Sequence, residues 1–302
     1  VIGLIILAFG WSGVLALALG DQIVDLKRYA IGVSLAGTLI LWLLSEYFIR
    51  KRRMVAPAIT LSLMFGANAA FGFLAAMTHP FMIAQNDYTS VPLPLLLSTF
   101  ALLLYWWRFR VPFTLAIIAV GLFATMIIFT ASTAGAVSDL SDIFLLSADG
   151  PFAWITLALG IAVFATAKVF DMSGPHRVTR RSANGFWLHV VAAPALVNTI
   201  ALSLLDQGTS TANILLMLAL TFVTLVAIII DRRSFLIAAI GYIVVLAANL
   251  FDGDGAALTV LGRGIVLLLL GAFWERIRAY LIKYMPRFIP VDRLPPSLLL
   301  KD

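Results

Sequence analysis

Apolar stretches long enough to cross a lipid bilayer fill almost the whole of this 302-residue chain. A helix needs about 17 to 25 predominantly apolar residues to span the hydrocarbon core. Ten stretches meet or approach that length, and the charged residues fall mainly between them. The predicted spans cover residues 1–20, 30–49, 55–77, 92–107, 111–134, 151–170, 186–205, 213–230, 234–250 and 257–280. The sequence therefore predicts an all-α, polytopic transmembrane helical bundle.

Composition supports the same fold class. Hydrophobic residues make up 62% of the chain and charged residues only 12%, whereas soluble domains are about 25% charged. Membrane-spanning strands would alternate polar and apolar residues instead of forming long apolar runs. The first stretch lacks a basic leader and a cleavage pattern, so we expect a span and not a signal peptide. We predict one transmembrane domain over residues 1–285 and a Pro-rich cytoplasmic tail over 286–302.

Positive charge alternates between the connections, which predicts an orientation in the membrane. Basic residues lie in every second connection and in the tail, at 50–53, 108–110, 168–181, 232–233 and 276–301. The connections between them are acidic, except that residues 21–29 also hold Lys27 and Arg28. Basic loops stay on the cytoplasmic side, so both termini are expected in the cytoplasm.

The basic residues do not form one continuous surface, although the net charge is +6. We therefore expect no nucleic-acid partner, and we expect the lipid bilayer and its anionic headgroups as partners. Partner membrane subunits remain an open alternative. The chain has no cysteine, which excludes disulfides and thiolate-bound metals.

Polar residues inside two predicted spans indicate where a solute would pass. His189, Pro194 and Asn198 lie in the span at 186–205, and Arg263 lies in the span at 257–280. A proline frees a backbone carbonyl inside a helix, and an intramembrane charge is usually functional and paired. The alternatives are a helix bend with an interhelical hydrogen bond for Asn198, and an ion pair or snorkelling for Arg263.

A basic segment before that span could bind phosphate or an anionic lipid headgroup. It contains His176, Arg177, Arg180 and Arg181, and guanidinium groups bind phosphate through paired hydrogen bonds. The alternative is that these residues only anchor the loop on the cytoplasmic side.

Motifs for catalysis are missing from the sequence. No carboxylate lies in the middle of a predicted span, so a proton relay is not predicted. The chain has no phosphate-binding glycine loop with a lysine and no helical pair of zinc-binding histidines. We predict no catalytic residues, metal or cofactor. An enzyme would need His79, Asp87 and Tyr88 to form a cluster on the outer face.

Two short segments resemble proteins of bacteria. They contain Pro175-His176-Arg177, Trp187-Leu188-His189 and Ala192-Ala193-Pro194, and then Gly271 to Arg276 with Leu294-Pro295-Pro296. These segments resemble uncharacterised multi-pass inner-membrane proteins, which implies a location in the bacterial inner (cytoplasmic) membrane. Ten spans in about 300 residues also resemble the layout of drug/metabolite exporters.

Two functional hypotheses follow. The first is a transporter or permease for a small neutral or anionic solute, because polar breaks interrupt otherwise apolar helices. The second is a non-catalytic scaffold or accessory subunit of a larger membrane complex, because no predicted span holds a central carboxylate that could couple transport to protons. An enzyme is the least expected class.

Overall fold

The fold is known from a computed structural model. It describes residues 2–4, 6, 10, 26–79, 82, 85, 87–135, 137, 139–148, 150–174, 180–231 and 255–284. Every regular element in these residues is helical. Contacts divide the chain into two compact units, residues 1–137 and residues 138–302.

The described residues of unit 1 form four long helices and one π turn. The helices are α1 (Leu26–Ser45), α2 (Val55–Met77), α3 (Pro92–Phe109) and α4 (Pro112–Ala134), and the π turn (Glu46–Lys51) continues α1. Prolines begin α3 and α4, because a proline at the first helical position removes only an N–H that has no helical partner. Arg110 separates these helices in a left-handed conformation with φ of 54°. The two helices are therefore joined by a tight turn at Arg110.

The two basic connections of unit 1 lie at the same end of its helices. Glu46, directly after α1, forms an ion pair with Arg108 at the end of α3, with a nitrogen–oxygen distance of 2.6 Å. Arg50 pairs with the second oxygen of Glu46 at 3.1 Å. The alternation of charge along the sequence thus corresponds to a real clustering of positive charge in unit 1.

The core of unit 1 is aromatic. Tyr105 is fully buried and its ring stacks on Phe65, with centroids 4.5 Å apart. Trp42 and Phe109 pack around the same ring at centroid distances of 6.2 and 4.6 Å. The phenol oxygen is 2.7 Å from the Ser45 hydroxyl, so the core also holds a hydrogen bond between α1 and α3.

Replacing Tyr105 with phenylalanine should lower the free energy of unfolding by about 1 kcal/mol. The ring and its packing stay, but the bond to Ser45 is lost, while Ser45 keeps its bond to the Leu41 carbonyl. The measurement is thermal unfolding of the purified protein in mild detergent. Tyr88→Phe, in an exposed loop, is the control, and an equal loss there would contradict the prediction.

In unit 2, the residues that the structure describes form four further long helices and one short 3₁₀ helix. They are the 3₁₀ helix (Leu140–Ile143), α5 (Phe152–Met172), α6 (Arg180–Asp206), α7 (Ser210–Ile230) and α8 (Gly255–Lys283). Thr209 caps α7, because its hydroxyl accepts the Ala212 N–H at 3.1 Å. This is a normal helix-start pattern.

The loop before α5 is bonded to the far end of α6. The Ser203 hydroxyl donates to the Phe144 carbonyl at 3.2 Å and accepts the Leu146 N–H at 2.8 Å. Ser147 donates to the Asp206 carboxylate at 2.6 Å. These bonds fix one end of the α5–α6 pair.

The end of α7 contacts α8 through polar side chains. Asp231 ends α7 in a left-handed conformation, and its carboxylate accepts the Trp274 ring N–H at 2.9 Å. Arg278 and Ile282 follow Trp274 at helical spacing, and all three side chains are buried. One face of the terminal part of α8 is therefore packed, while Tyr280 and Tyr284 are exposed on other faces.

Seven described helical segments are long and apolar enough to cross a membrane. They are Lys27–Lys51, Val55–Met77, Pro92–Phe109, Pro112–Ala134, Phe152–Met172, Arg180–Asp206 and Ser210–Ile230. Of the other predicted spans, 257–280 lies within α8, 1–20 lies largely outside the described residues and 234–250 lies entirely outside them. The predicted tail, 286–302, also lies outside the described residues.

The surfaces of these helices suit lipid. Large apolar side chains such as Leu35, Phe100, Val120, Ile161 and Phe222 are exposed, which is unusual in a soluble protein. Hydroxyl groups bond to carbonyls one turn back in their own helices, as Thr60, Thr125, Thr166, Thr199, Thr221 and Thr224 do. These six hydroxyl groups are thus satisfied without water. The chain is an integral, multi-pass membrane protein.

Candidate functional site

The helices α5 and α6 bring an acid and a histidine together. Asp171 lies at the end of α5, and His189 lies in the third turn of α6. The imidazole Nε2 is 2.9 Å from the Asp171 Oδ2. The Asp171 side chain is 6% exposed and the His189 side chain 0%. A titratable pair is therefore buried between two membrane-spanning helices.

Gly185 makes room for this pair. It precedes His189 by four residues, so both lie on the face of α6 that packs against α5. A Cβ atom at position 185 would collide with the Asp171 Oδ1 and would lie 3.1 Å from the Ala167 carbonyl oxygen. The absence of a side chain lets the Asp171 carboxylate lie against the backbone of α6.

Apolar groups surround the imidazole. The Phe164 ring meets the His189 ring edge-on, with centroids 5.4 Å apart, and Leu188 and Ala192, one and three residues away on α6, are buried. In this low-dielectric environment a hydrogen bond is strengthened and a lone charge is strongly disfavoured. The pair can bind one proton and hold it between the two helices.

Three cations of the described residues lie on the same two helices. Lys168 precedes Asp171 by one turn of α5 and is partly buried. Arg180 and Arg181 are exposed at the beginning of α6. Positive charge thus surrounds this end of the α5–α6 pair.

The structure separates the residues that the sequence assigned to a solute pathway. His189 and Asn198 are nine residues apart on α6, which places them about 180° apart around the helix axis. Pro194 is exposed and Asn198 is partly exposed, whereas His189 is buried. The helix continues through Pro194 without interruption. Arg263 belongs to α8, but its side chain lies outside the described residues.

The predicted headgroup site is described only in part. His176 and Arg177 lie outside the described residues. Arg180 and Arg181 are at the beginning of α6 and are exposed to solvent or headgroups.

Sequence reasoning missed Asp171 as the partner of His189. Asp171 does lie at the end of a span, as predicted, but its side chain is buried and does not extend into water. The two residues are 18 positions apart on different helices, so no helical spacing reveals them. The one sequence signal for this contact was Gly185, which lies one helical turn before His189. A glycine at that position leaves room for a side chain of the neighbouring helix, here Asp171.

His79, Asp87 and Tyr88, which the sequence predicts on the outer face, do lie in one region. The Thr89 hydroxyl and the Thr89 backbone N–H donate to the Asp87 carboxylate at 2.6 and 3.0 Å. These bonds, with a smaller effect of the His79 charge, hold the pKa of Asp87 below its usual range. The carboxylate is a satisfied turn residue, which argues for a structural role and not for acid–base chemistry.

Metal binding has no support in the described part of the chain, where no three His, Cys, Asp or Glu side chains lie close enough to hold an ion. Comparisons with family models, with curated proteins and with solved structures find no match for this chain. Among the described residues, the Asp171–His189 pair is the feature that points to a function.

Proposed function

We propose that this membrane protein transports a small neutral or anionic solute, and that the Asp171–His189 pair is its titratable element. The observation that carries the proposal is the burial of an acid–imidazole pair between two apolar helices. Ionisable residues inside membrane segments are rare, and they typically mark ion or proton paths. The proposal includes a location in the bacterial inner membrane with the basic connections in the cytoplasm.

Protonation of the pair would change the interaction between α5 and α6. With one shared proton the two side chains attract each other and hold the helices together. A second proton on the carboxylate leaves an imidazolium beside a neutral acid, and loss of the shared proton leaves a buried carboxylate beside a neutral ring. Both changes weaken the contact, so proton binding or release can be coupled to movement of α5 against α6.

The α5–α6 interface is suited to such movement because small residues line it. A Cβ at Gly160 would lie 3.1 Å from the Ala195 Cβ and 3.0 Å from the Leu196 side chain. Small residues of this kind let the backbones of the two helices approach closely, so α5 and α6 are in direct contact and a change at the pair acts on both. The exposed Arg180 and Arg181 at the beginning of α6 favour a neutral or anionic solute over a cation.

A second candidate is the accessory subunit of a larger membrane complex, which the dry core of unit 1 favours. Tyr105 and its aromatic neighbours fill the space between α1, α2 and α3. A cavity of about 260 Å³ between α1 and α2 is lined mainly by apolar side chains, with Ser34 and Thr38 as its polar members. An aqueous path through this part of unit 1 has no support.

Proteoliposomes distinguish the two candidates. The purified chain is reconstituted with a trapped pH dye and challenged with a panel of small neutral and anionic metabolites. A transporter should give solute-dependent proton movement that falls at least about tenfold in Asp171→Asn and in His189→Gln. The control is Asp206→Asn, an exposed acid on the same helix pair. Full flux in both folded variants would refute the role of the pair.

Purification from native membranes in mild detergent, followed by mass spectrometry, tests the second candidate. A protein partner in fixed stoichiometry, together with no flux for any solute, would support the accessory subunit. A lone protein that carries a reproducible small molecule would support the transporter and name its solute class.

A further inference from the structure

The end of α1 departs from ordinary helical geometry immediately before a run of four cations. The π turn Glu46–Lys51 continues α1, and the Arg52 N–H donates to the Tyr47 carbonyl at 2.9 Å. This bond joins residues five apart, whereas an α-helix joins residues four apart. Turns of this type are rare and often occur at functional sites. Arg53 then adopts a left-handed conformation with φ of 52°, which a non-glycine residue seldom does.

The unusual turn gathers two cations around one exposed ring. The Arg52 guanidinium carbon lies 5.5 Å from the Tyr47 ring centroid, and the Lys51 Nζ lies 6.0 Å from it. The Arg52 Nε also donates to the Tyr47 hydroxyl at 3.1 Å. A neutral ring attracts cations within about 6 Å without neutralising them. Tyr47 thus positions both positive charges while leaving them available to an anion.

Within the described residues, no carboxylate pairs with Lys51, Arg52 or Arg53. The nearby carboxylate, Glu46, already pairs with Arg50 and Arg108. In the part of the chain that the structure describes, Lys51, Arg52 and Arg53 form no ion pair, and all three are exposed. We call residues 50–53, together with Tyr47, the basic collar. The basic collar carries four cations. The carboxylate beside it, Glu46, also pairs with a fifth cation, Arg108.

The position of the collar identifies its anion as part of a lipid. Lys51 ends one apolar span and Val55 begins the next, so the collar lies where the hydrocarbon gives way to headgroups. Met54 and Val55, directly after the collar, are exposed apolar residues that suit contact with acyl chains. Clusters of four to eight cations beside a span are typical of binding to anionic lipids.

We propose that the basic collar binds the phosphate of an anionic phospholipid headgroup, with Lys51 and Arg52 contacting the phosphate and Tyr47 holding them in place. This site is independent of the transport proposal, because it uses other residues in the other unit. It is also distinct from the basic segment at 176–181.

Native mass spectrometry of the full chain in detergent, titrated with phosphatidylglycerol or with phosphatidylcholine, tests the proposal. Phosphatidylglycerol should bind preferentially, and the double variant Lys51→Gln/Arg52→Gln should weaken its binding about thirtyfold. Tyr47→Leu should weaken it at least about threefold, because the cations lose the ring that positions them.

The matched control is Lys27→Gln/Arg28→Gln, which removes the same two charges from exposed positions at the other end of the same span. It should leave phosphatidylglycerol binding within about twofold of the unmodified chain. Equal weakening by both double variants would overturn the proposal, as would equal binding of phosphatidylcholine. Displacement of the lipid by millimolar inorganic phosphate would also overturn it, because the site would then take a soluble anion. Circular dichroism checks that each variant is folded.

Discussion

Replacing His189 with leucine should lower the free energy of unfolding by about 3 to 5 kcal/mol. The Asp171 carboxylate stays buried in the variant, but it loses the imidazole that lies 2.9 Å away. Removing one member of a buried pair costs far more than replacing both members, because the remaining polar group stays buried and loses a close contact. Asp171→Leu should cost a similar amount for the same reason, since the imidazole stays buried. Thermal and denaturant unfolding in mild detergent, followed by circular dichroism, measures both losses.

The double variant Asp171→Leu/His189→Leu is the informative control. Apolar residues of similar volume can replace a buried ion pair at little cost, and such replacements are often neutral or stabilising. The double variant should therefore recover most of the stability that either single variant loses. The double variant could instead lose as much free energy of unfolding as the two single variants together. The two side chains would then not be energetically coupled, and the proposal that they form one titratable element would be wrong.

Gly185→Ala should lower the free energy of unfolding by about 1 to 3 kcal/mol, although alanine is the better helix former. The added methyl group would collide with the Asp171 Oδ1 and press on the Ala167 carbonyl oxygen. The backbone carbonyl cannot move without shifting α5, so the strain falls on the α5–α6 interface. The same unfolding measurement applies, and transport by this variant should fall together with its stability.

Gly271→Ala provides the matched control, since Gly271 is also helical but has no heavy atom within 4 Å of an added Cβ. This substitution should be neutral or stabilising by up to about 1 kcal/mol. Equal behaviour of the two alanine variants would mean that Asp171 does not lie against Gly185 in the membrane.

Both predictions concern one interface, and that interface also defines the proposed function. Stability and transport measured on the same variants separate two roles of the pair. A conservative change such as Asp171→Asn that keeps the fold but abolishes proton movement indicates a role in transport. A change that alters both together indicates a structural contact only.

Much of the helical layout was predictable because span length is a local property. The predicted span at 55–77 corresponds to Val55–Met77, and the span at 111–134 corresponds to Pro112–Ala134. In both cases an apolar run of fixed length sets the helix, and proline marks a start. The prediction for α6 began at residue 186, whereas the helix begins at Arg180. Its first turns are polar, and hydropathy does not detect helical residues outside the hydrocarbon.

The π turn after Ser45 was not predictable in the same way. The residue types in this segment do not favour a π turn, with backbone hydrogen bonds between residues five apart, over an α-helix, with bonds between residues four apart. Its geometry coincides with long-range contacts, in which Ser45 meets Tyr105 and Glu46 meets Arg108. Those contacts join residues about 60 positions apart.

The sequence by itself determined that the chain is a multi-pass helical membrane protein, and it determined that positive charge clusters at one end of unit 1. Hydrophobic length and loop charge are additive properties of neighbouring residues, so they can be read along the chain. Only the tertiary structure decided that His189 faces Asp171 while Asn198 lies on the opposite side of α6. The neighbours of His189 depend on which faces of α5 and α6 meet, and this is not a local property of the sequence. The Asp171 carboxylate can be buried at this interface because an imidazole and a glycine lie opposite it.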